Sequence, residues 1–131
     1  MPGKVSLQGV FLVDRIEEDP EKKTCTLHKI FNQIVVRRGA EKYVGECYLF
    51  FAVRQVHGRR PLRIVLEDLS DETELVSWPS SVQSSDPLET VFFSIRLLSM
   101  PIQKPGVYLW KVYDEEGELL GETRLFARGE E

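Results

Sequence analysis

The chain is short of alanine, with three in 131 residues, and it holds a single asparagine. Alanine is the strongest helix former, so its scarcity argues against a helical bundle. No apolar run approaches the roughly 18–20 residues that a membrane-spanning helix needs. Two cysteines and two histidines supply neither a disulfide framework nor the four ligands of a structural zinc site. No Gly-x-Ser-x-Gly, Gly-rich phosphate loop or His-Glu-x-x-His occurs, so the familiar hydrolase, nucleotide and metalloprotease signatures are missing. Positive charge is also in deficit: 17 Lys and Arg against 21 Asp and Glu, net −4, pI about 5.3. That balance disfavours general affinity for nucleic acid. After Met1-Pro2-Gly3-Lys4 no uninterrupted apolar segment of signal-peptide length follows, because Asp14 and Arg15 break it. The expectation is a cytoplasmic location, with Cys25 and Cys47 as free thiols.

What is present is β-rich. Fourteen valines, six isoleucines, five threonines and thirteen aromatics favour strands, and 42% apolar residues suffice for a core. The runs are Leu7 to Ile16, Thr24 to Val36 (bent or bulged), Tyr43 to Val56, Leu62 to Glu67, Leu75 to Trp78, Glu89 to Ser99, Val107 to Tyr113 and Glu118 to Ala127. Charged or Gly/Pro turns separate them, including Glu17 to Lys23, His57 to Pro61, Asp68 to Glu74 and Asp114 to Gly117. Ser80 to Pro87 reads as a Ser-rich loop. Seven or eight strands and no helix predict an all-β, two-sheet antiparallel β-sandwich of immunoglobulin-like type. One domain spans 1–131, its core about 7–127, with a frayed tail at 128–131. Leu62, Ile64 and Leu66 alternate with Arg63, Val65 and Glu67, the pattern of a half-buried strand.

Two blocks carry a family likeness. One is Leu12-Val13-Asp14-Arg15-Ile16, then Lys23, Leu27 and Ile30-Phe31-Asn32-Gln33-Ile34. The other is Pro105-Gly106-Val107-Tyr108-Leu109-Trp110-Lys111-Val112, then Glu116-Gly117 and Glu122-Thr123-Arg124-Leu125-Phe126. Together they resemble a family of small bacterial β-sandwich domains whose function is uncharacterised. The resemblance spans about Leu7 to Ala127. It implies the sandwich fold and brings no catalytic residue. The family tends to place Gly two residues before the Phe, where this chain has Lys29.

Several constellations bear on chemistry. Cys25-x-x-His28 has metal-like spacing, but positions i and i+3 of a strand face opposite sides. Cys25 or Cys47 with His57 would make a nucleophile–base pair, yet Cys47 shares the core face of its strand with Leu49, Phe51 and Val53. No catalytic residue and no cofactor is therefore expected. Carboxylates Asp68, Asp71, Glu72 and Asp114 are calcium candidates if their turns meet at one end of the sandwich. Arg54, Arg59, Arg60 and Arg63 are candidates for an anion or partner patch, with Arg37 and Arg38 nearby in sequence. Trp78 and Tyr48 are candidates for carbohydrate stacking.

The strongest interface signal is surplus apolar surface. Tyr48 and Phe50 lie opposite the core face of their strand. The run Val107 to Tyr113 is apolar on both faces, which leaves Leu109 and Tyr113 to be covered by a loop or a second subunit. Phe92 and Leu98 add to the surplus. The sequence thus points to a non-enzymatic protein-interaction or self-association module, with a homodimer as one form. The alternative is a calcium-, anion- or carbohydrate-binding sandwich, comparable in architecture to C2 or carbohydrate-binding modules. Neither nucleic acid nor membrane insertion is expected.

Overall fold

The computed structural model describes residues 4–130; Met1, Pro2, Gly3 and Glu131 lie outside the described residues. It contains nine strands: β1 (Ser6–Asp19), β2 (Thr24–Phe31), β3 (Gln33–Val36), β4 (Tyr43–Arg54), β5 (Gly58–Asp68), β6 (Thr73–Ser84), β7 (Val91–Met100), β8 (Gly106–Asp114) and β9 (Leu119–Gly129). They form a four-stranded sheet of order β2-β1-β4-β7 and a five-stranded sheet of order β3-β9-β8-β5-β6. The two sheets face each other as a β-sandwich.

The strand count exceeds the expected seven or eight because the segment Thr24 to Val36 divides at Asn32. β2 pairs antiparallel with β1, whereas β3 crosses to the other sheet and pairs parallel with β9. Two further boundaries and one burial pattern are corrected. Ser80 to Ser84 is strand rather than loop, since β6 runs through Pro79 and pairs Ser80 with Leu62 and Ser84 with Gly58. β6 is an edge strand, where a missing proline N–H is tolerated. Arg128 and Gly129, assigned to the tail, are the last residues of β9, held beside Val35 and Val36. β5 is buried on both faces from Ile64 to Asp68, not on one.

Alternation builds the core. Leu12 of β1, Leu49, Phe51 and Val53 of β4, Ile64 and Leu66 of β5, Trp110 and Val112 of β8 and Leu125 of β9 are all buried between the sheets. Each such side chain contributes on the order of 1.5–3 kcal/mol. Phe51 stacks on Phe93 at 4.7 Å between ring centroids. The Pro105-Gly106-Val107-Tyr108 motif plants a ring in this core: Tyr108 is buried, and its hydroxyl donates to the Lys104 carbonyl at 2.7 Å. That bond closes the turn entering β8.

The β1–β2 hairpin shapes the outside of the four-stranded sheet. β1 pairs with β4 only from Ser6 to Val13, and beyond that with β2 alone. Yet the hairpin tip returns to the start of β7, where Lys23 meets Glu89 at 3.7 Å. Glu18, Asp19 and Lys23 line a shallow depression there with Val91 and Phe92. Because β4 separates β1 from β7, the hairpin reaches that point by arching over the sheet's outer face. This accounts for Phe50 and Ala52, which are buried although they point away from the core.

Candidate functional site

The apolar candidates are largely satisfied within the chain. Phe50 is only 5% exposed and packs against Phe92, ring centroids 5.8 Å apart. Tyr48 is half-buried on the same face. On β8, Leu109 lies between Glu67 of β5 and Arg124 of β9 in the sheet. Lys111, the next residue on that face, donates to Glu67 at 2.9 Å. Arg63 lies 4.7 Å over the Tyr113 ring and reaches Glu74 at 3.3 Å. Long charged side chains thus roof this face with their stems. The second apolar face of β8 is covered at least in part within the chain, by these charged side chains rather than by the Ser80 region.

The arginine candidates do not form one patch. Arg54 ends β4 in the four-stranded sheet; Arg59, Arg60 and Arg63 belong to β5 in the other. Arg59 donates to Ser81 at 3.3 Å, Arg60 meets Glu115 at 3.6 Å and Arg63 is held by Glu74. The carboxylate candidates also separate. Asp68 pairs with Tyr108 at the start of β8, while Asp114 ends β8 opposite Leu62. Six residues of strand, about 20 Å, lie between them. Each acid serves its own turn: Asp68 accepts from Ser70, Asp71 from the Thr73 N–H, and Asp114 from the N–H groups of Glu116 and Glu118. Glu72 sits in the β5–β6 turn with a left-handed φ of 56°. Among the described residues no group of three metal-ligating side chains could hold an ion.

The remaining candidates stay apart as well. Cys25 pairs with Glu18 and His28 with Arg15, on opposite faces of β2. Burial pushes the Cys47 thiol up to about 11, the wrong direction for a nucleophile. His57 is exposed in the β4–β5 connection. Trp78 turns toward the core side of edge strand β6, packing on Trp110 at 5.8 Å, and so shares no face with Tyr48.

A different site emerges at the end of the sandwich where β3 finishes and β4 begins. A half-open cleft of about 1010 Å³ is lined by the basic Arg37, Lys42 and Arg128, the acidic Glu130, and Gln33, Val35, Tyr43 and Val44. The link from β3 to β4 builds one wall. It turns at Gly39, φ 78°, where the Ala40 N–H donates to the Arg37 carbonyl at 3.1 Å. The parallel pairing of β3 with β9 brings Arg128 beside Val35, two residues before Arg37. Arg37, Lys42 and Arg128 have no hydrogen-bond or ion-pair partner among the described residues. Most other basic side chains do, including Lys4, Arg15, Lys23, Arg60, Arg63, Arg96, Lys104 and Lys111. Three cations and one carboxylate, Glu130, therefore line one concavity of an acidic chain, a local excess of positive charge.

In sequence, Arg37 stands near the arginine run, whereas nothing marks Lys42, Arg128 or Gln33 as members of one site. The available signal was weak: Arg37 and Lys42 bracket the Gly39 turn, but nothing local joins them to position 128.

No family model matches the chain, and no curated protein matches it. Among solved structures it is similar to a Niemann-Pick type C2 protein from Japanese carpenter ant, at 10% identity over 99% of this chain and 96% of that one, with a TM-score of 0.45. At that distance the likeness bears on neither ligand nor activity.

Proposed function

We propose that the protein is a non-enzymatic protein-interaction module that recognises an acidic partner at the cleft between β3 and β4. The observation that carries this reading is the set of three cations, Arg37, Lys42 and Arg128, which have no partner among the described residues and outnumber the one carboxylate, Glu130, lining the same cavity. Guanidinium groups suit carboxylate recognition because their planar donors match two oxygens at once. The apolar walls from Val35 and Val44, the latter 71% exposed, suit a polypeptide better than a bare ion. The raised Cys47 thiol and the dispersed carboxylates support binding over catalysis. Two free cysteines support a reducing, cytoplasmic setting. The two-sheet strand arrangement supports an immunoglobulin-like class; a bacterial source rests on the quoted residue blocks alone.

A second copy of the chain is the second reading, favoured by one observation. The acidic β5–β6 turn with Asp71 and Glu72 lies at the same end of the sandwich as the cleft, across the five-stranded sheet. A two-fold axis at that end would set each cleft against the other copy's acidic turn.

The test is fluorescence anisotropy of a labelled Glu-Val-Glu-Val-Glu-Val-Glu peptide against its Lys counterpart. Only the acidic peptide should bind, weakening with added salt and falling by about tenfold in Arg37→Glu and Arg128→Glu. Equal behaviour of the two peptides contradicts the reading, and so does full displacement by millimolar inorganic phosphate. Sedimentation velocity decides the second copy: a dimer abolished by Asp71→Lys/Glu72→Lys supports it, and a monomer at 100 µM (roughly a hundred times a micromolar Kd) removes it.

A further inference from the structure

We infer that the partner of this cleft binds as an added β-strand on the free edge of β3, with acidic and apolar side chains alternating along it; this rests on the cleft being the binding site. The backbone of β3 makes the case. The Asn32 carbonyl accepts from the Phe126 N–H at 2.8 Å, and the Val36 carbonyl accepts from the Glu130 N–H at 3.2 Å. Those residues turn their backbone groups toward β9. Strand alternation turns the groups of Gln33 and Val35 the other way. β3 ends its sheet, so they face the side that no strand occupies.

The side chains set the pattern. Ile34 and Val36 are buried against the core, while Gln33 and Val35 face outward, Val35 with Arg128 beside it. A strand laid along this edge would send alternate side chains to the outer face, within reach of Arg128 and Arg37. The intervening ones would point toward Tyr43 and the exposed Val44 at the start of β4. That is the alternation of carboxylate and apolar residue. Main-chain bonds then give affinity, and the two rows of side chains give selectivity. At four residues β3 is short, which guards the edge against indiscriminate pairing and leaves the cations to choose the partner.

The experiment uses the full chain and four labelled peptides. They are the alternating Glu-Val heptamer, a blocked Glu-Glu-Glu-Glu-Val-Val-Val heptamer, and two alternating heptamers N-methylated at complementary sets of alternate amides. The alternating peptide should bind, the blocked one should bind about tenfold more weakly, and one methylated peptide should lose binding while the other retains it. Val35→Pro supplies an independent arm: its lost N–H points away from β9, so the melting temperature should stay near wild type while peptide affinity falls by about tenfold. Equal binding by both methylated peptides, or wild-type affinity in a folded Val35→Pro protein, overturns strand addition and leaves the acidic-partner reading standing. Binding by none of the four overturns both.

Discussion

Lys111 donates to Glu67 at 2.9 Å across the outer face of the five-stranded sheet, and both side chains are largely buried there. The pair crosses from β8 to β5 beside Leu109. It explains how Leu109, on the outer face of β8, is buried within the chain. The Lys111 pKa is raised, first by this hydrogen bond.

A double-mutant cycle should expose this role. Lys111→Met leaves a buried carboxylate unpaired and should cost about 1–3 kcal/mol in urea unfolding. Lys111→Met with Glu67→Gln should recover most of that loss, because neutralising both partners removes the uncompensated charge. Equal loss in the single and the double variant would mean that the pair does not supply the cover.

Lys29 sits in strand β2 with φ 55°, in the left-handed region that L-residues other than Asn and Gly avoid. A lysine at this φ leaves a strained backbone in the fold. Lys29→Gly should therefore stabilise the protein by about 0.5–1 kcal/mol despite glycine's entropy, a rise in melting temperature of a few degrees. The opposite test lies at Gly9, φ 82°, in the bulge between Leu7 and Val10. A Cβ there would fall 2.6 Å from the Phe11 ring, so Gly9→Ala should destabilise. Destabilisation by Lys29→Gly would show that the Lys29 side chain matters more than its backbone.

Cys47 predicts the alkaline behaviour. Burial raises its thiol from 9.0 to about 11 in the fold. The folded state favours the protonated form, so its contribution is complete below about pH 9 and is lost as pH climbs from 9 toward 11. The total is on the order of 2–3 kcal/mol. Urea melts at pH 7 and pH 10.5 should therefore separate wild type from Cys47→Ala: both lose stability, and wild type loses more. An identical pH dependence would show that the thiol is not protected by the core.

Much of the sandwich was legible, and the reasons are local. The alternation of Cys47, Leu49, Phe51 and Val53 predicted the buried face of β4, and Pro105-Gly106-x-Tyr108 predicted a turn followed by a core aromatic; both hold. Pro79 misled because the sequence does not say which strands are edges. The cleft was illegible for a deeper reason. It depends on residues 33–36 pairing in parallel with 126–129, a contact across some ninety positions that no periodicity encodes. Arg59, Arg60 and Arg63 were visible because they lie close together in sequence, yet each of the three found its own partner. The cations that stayed free were scattered in sequence.

The most direct measurement is a two-dimensional amide NMR titration of the full chain with the acidic Glu-Val heptamer. The account predicts shifts concentrated on Gln33 to Val44 and on Arg128 to Glu130, abolished in Arg37→Glu/Arg128→Glu. Shifts centred instead on Arg54, Arg59 and Arg63, or no shifts at millimolar peptide, would contradict it.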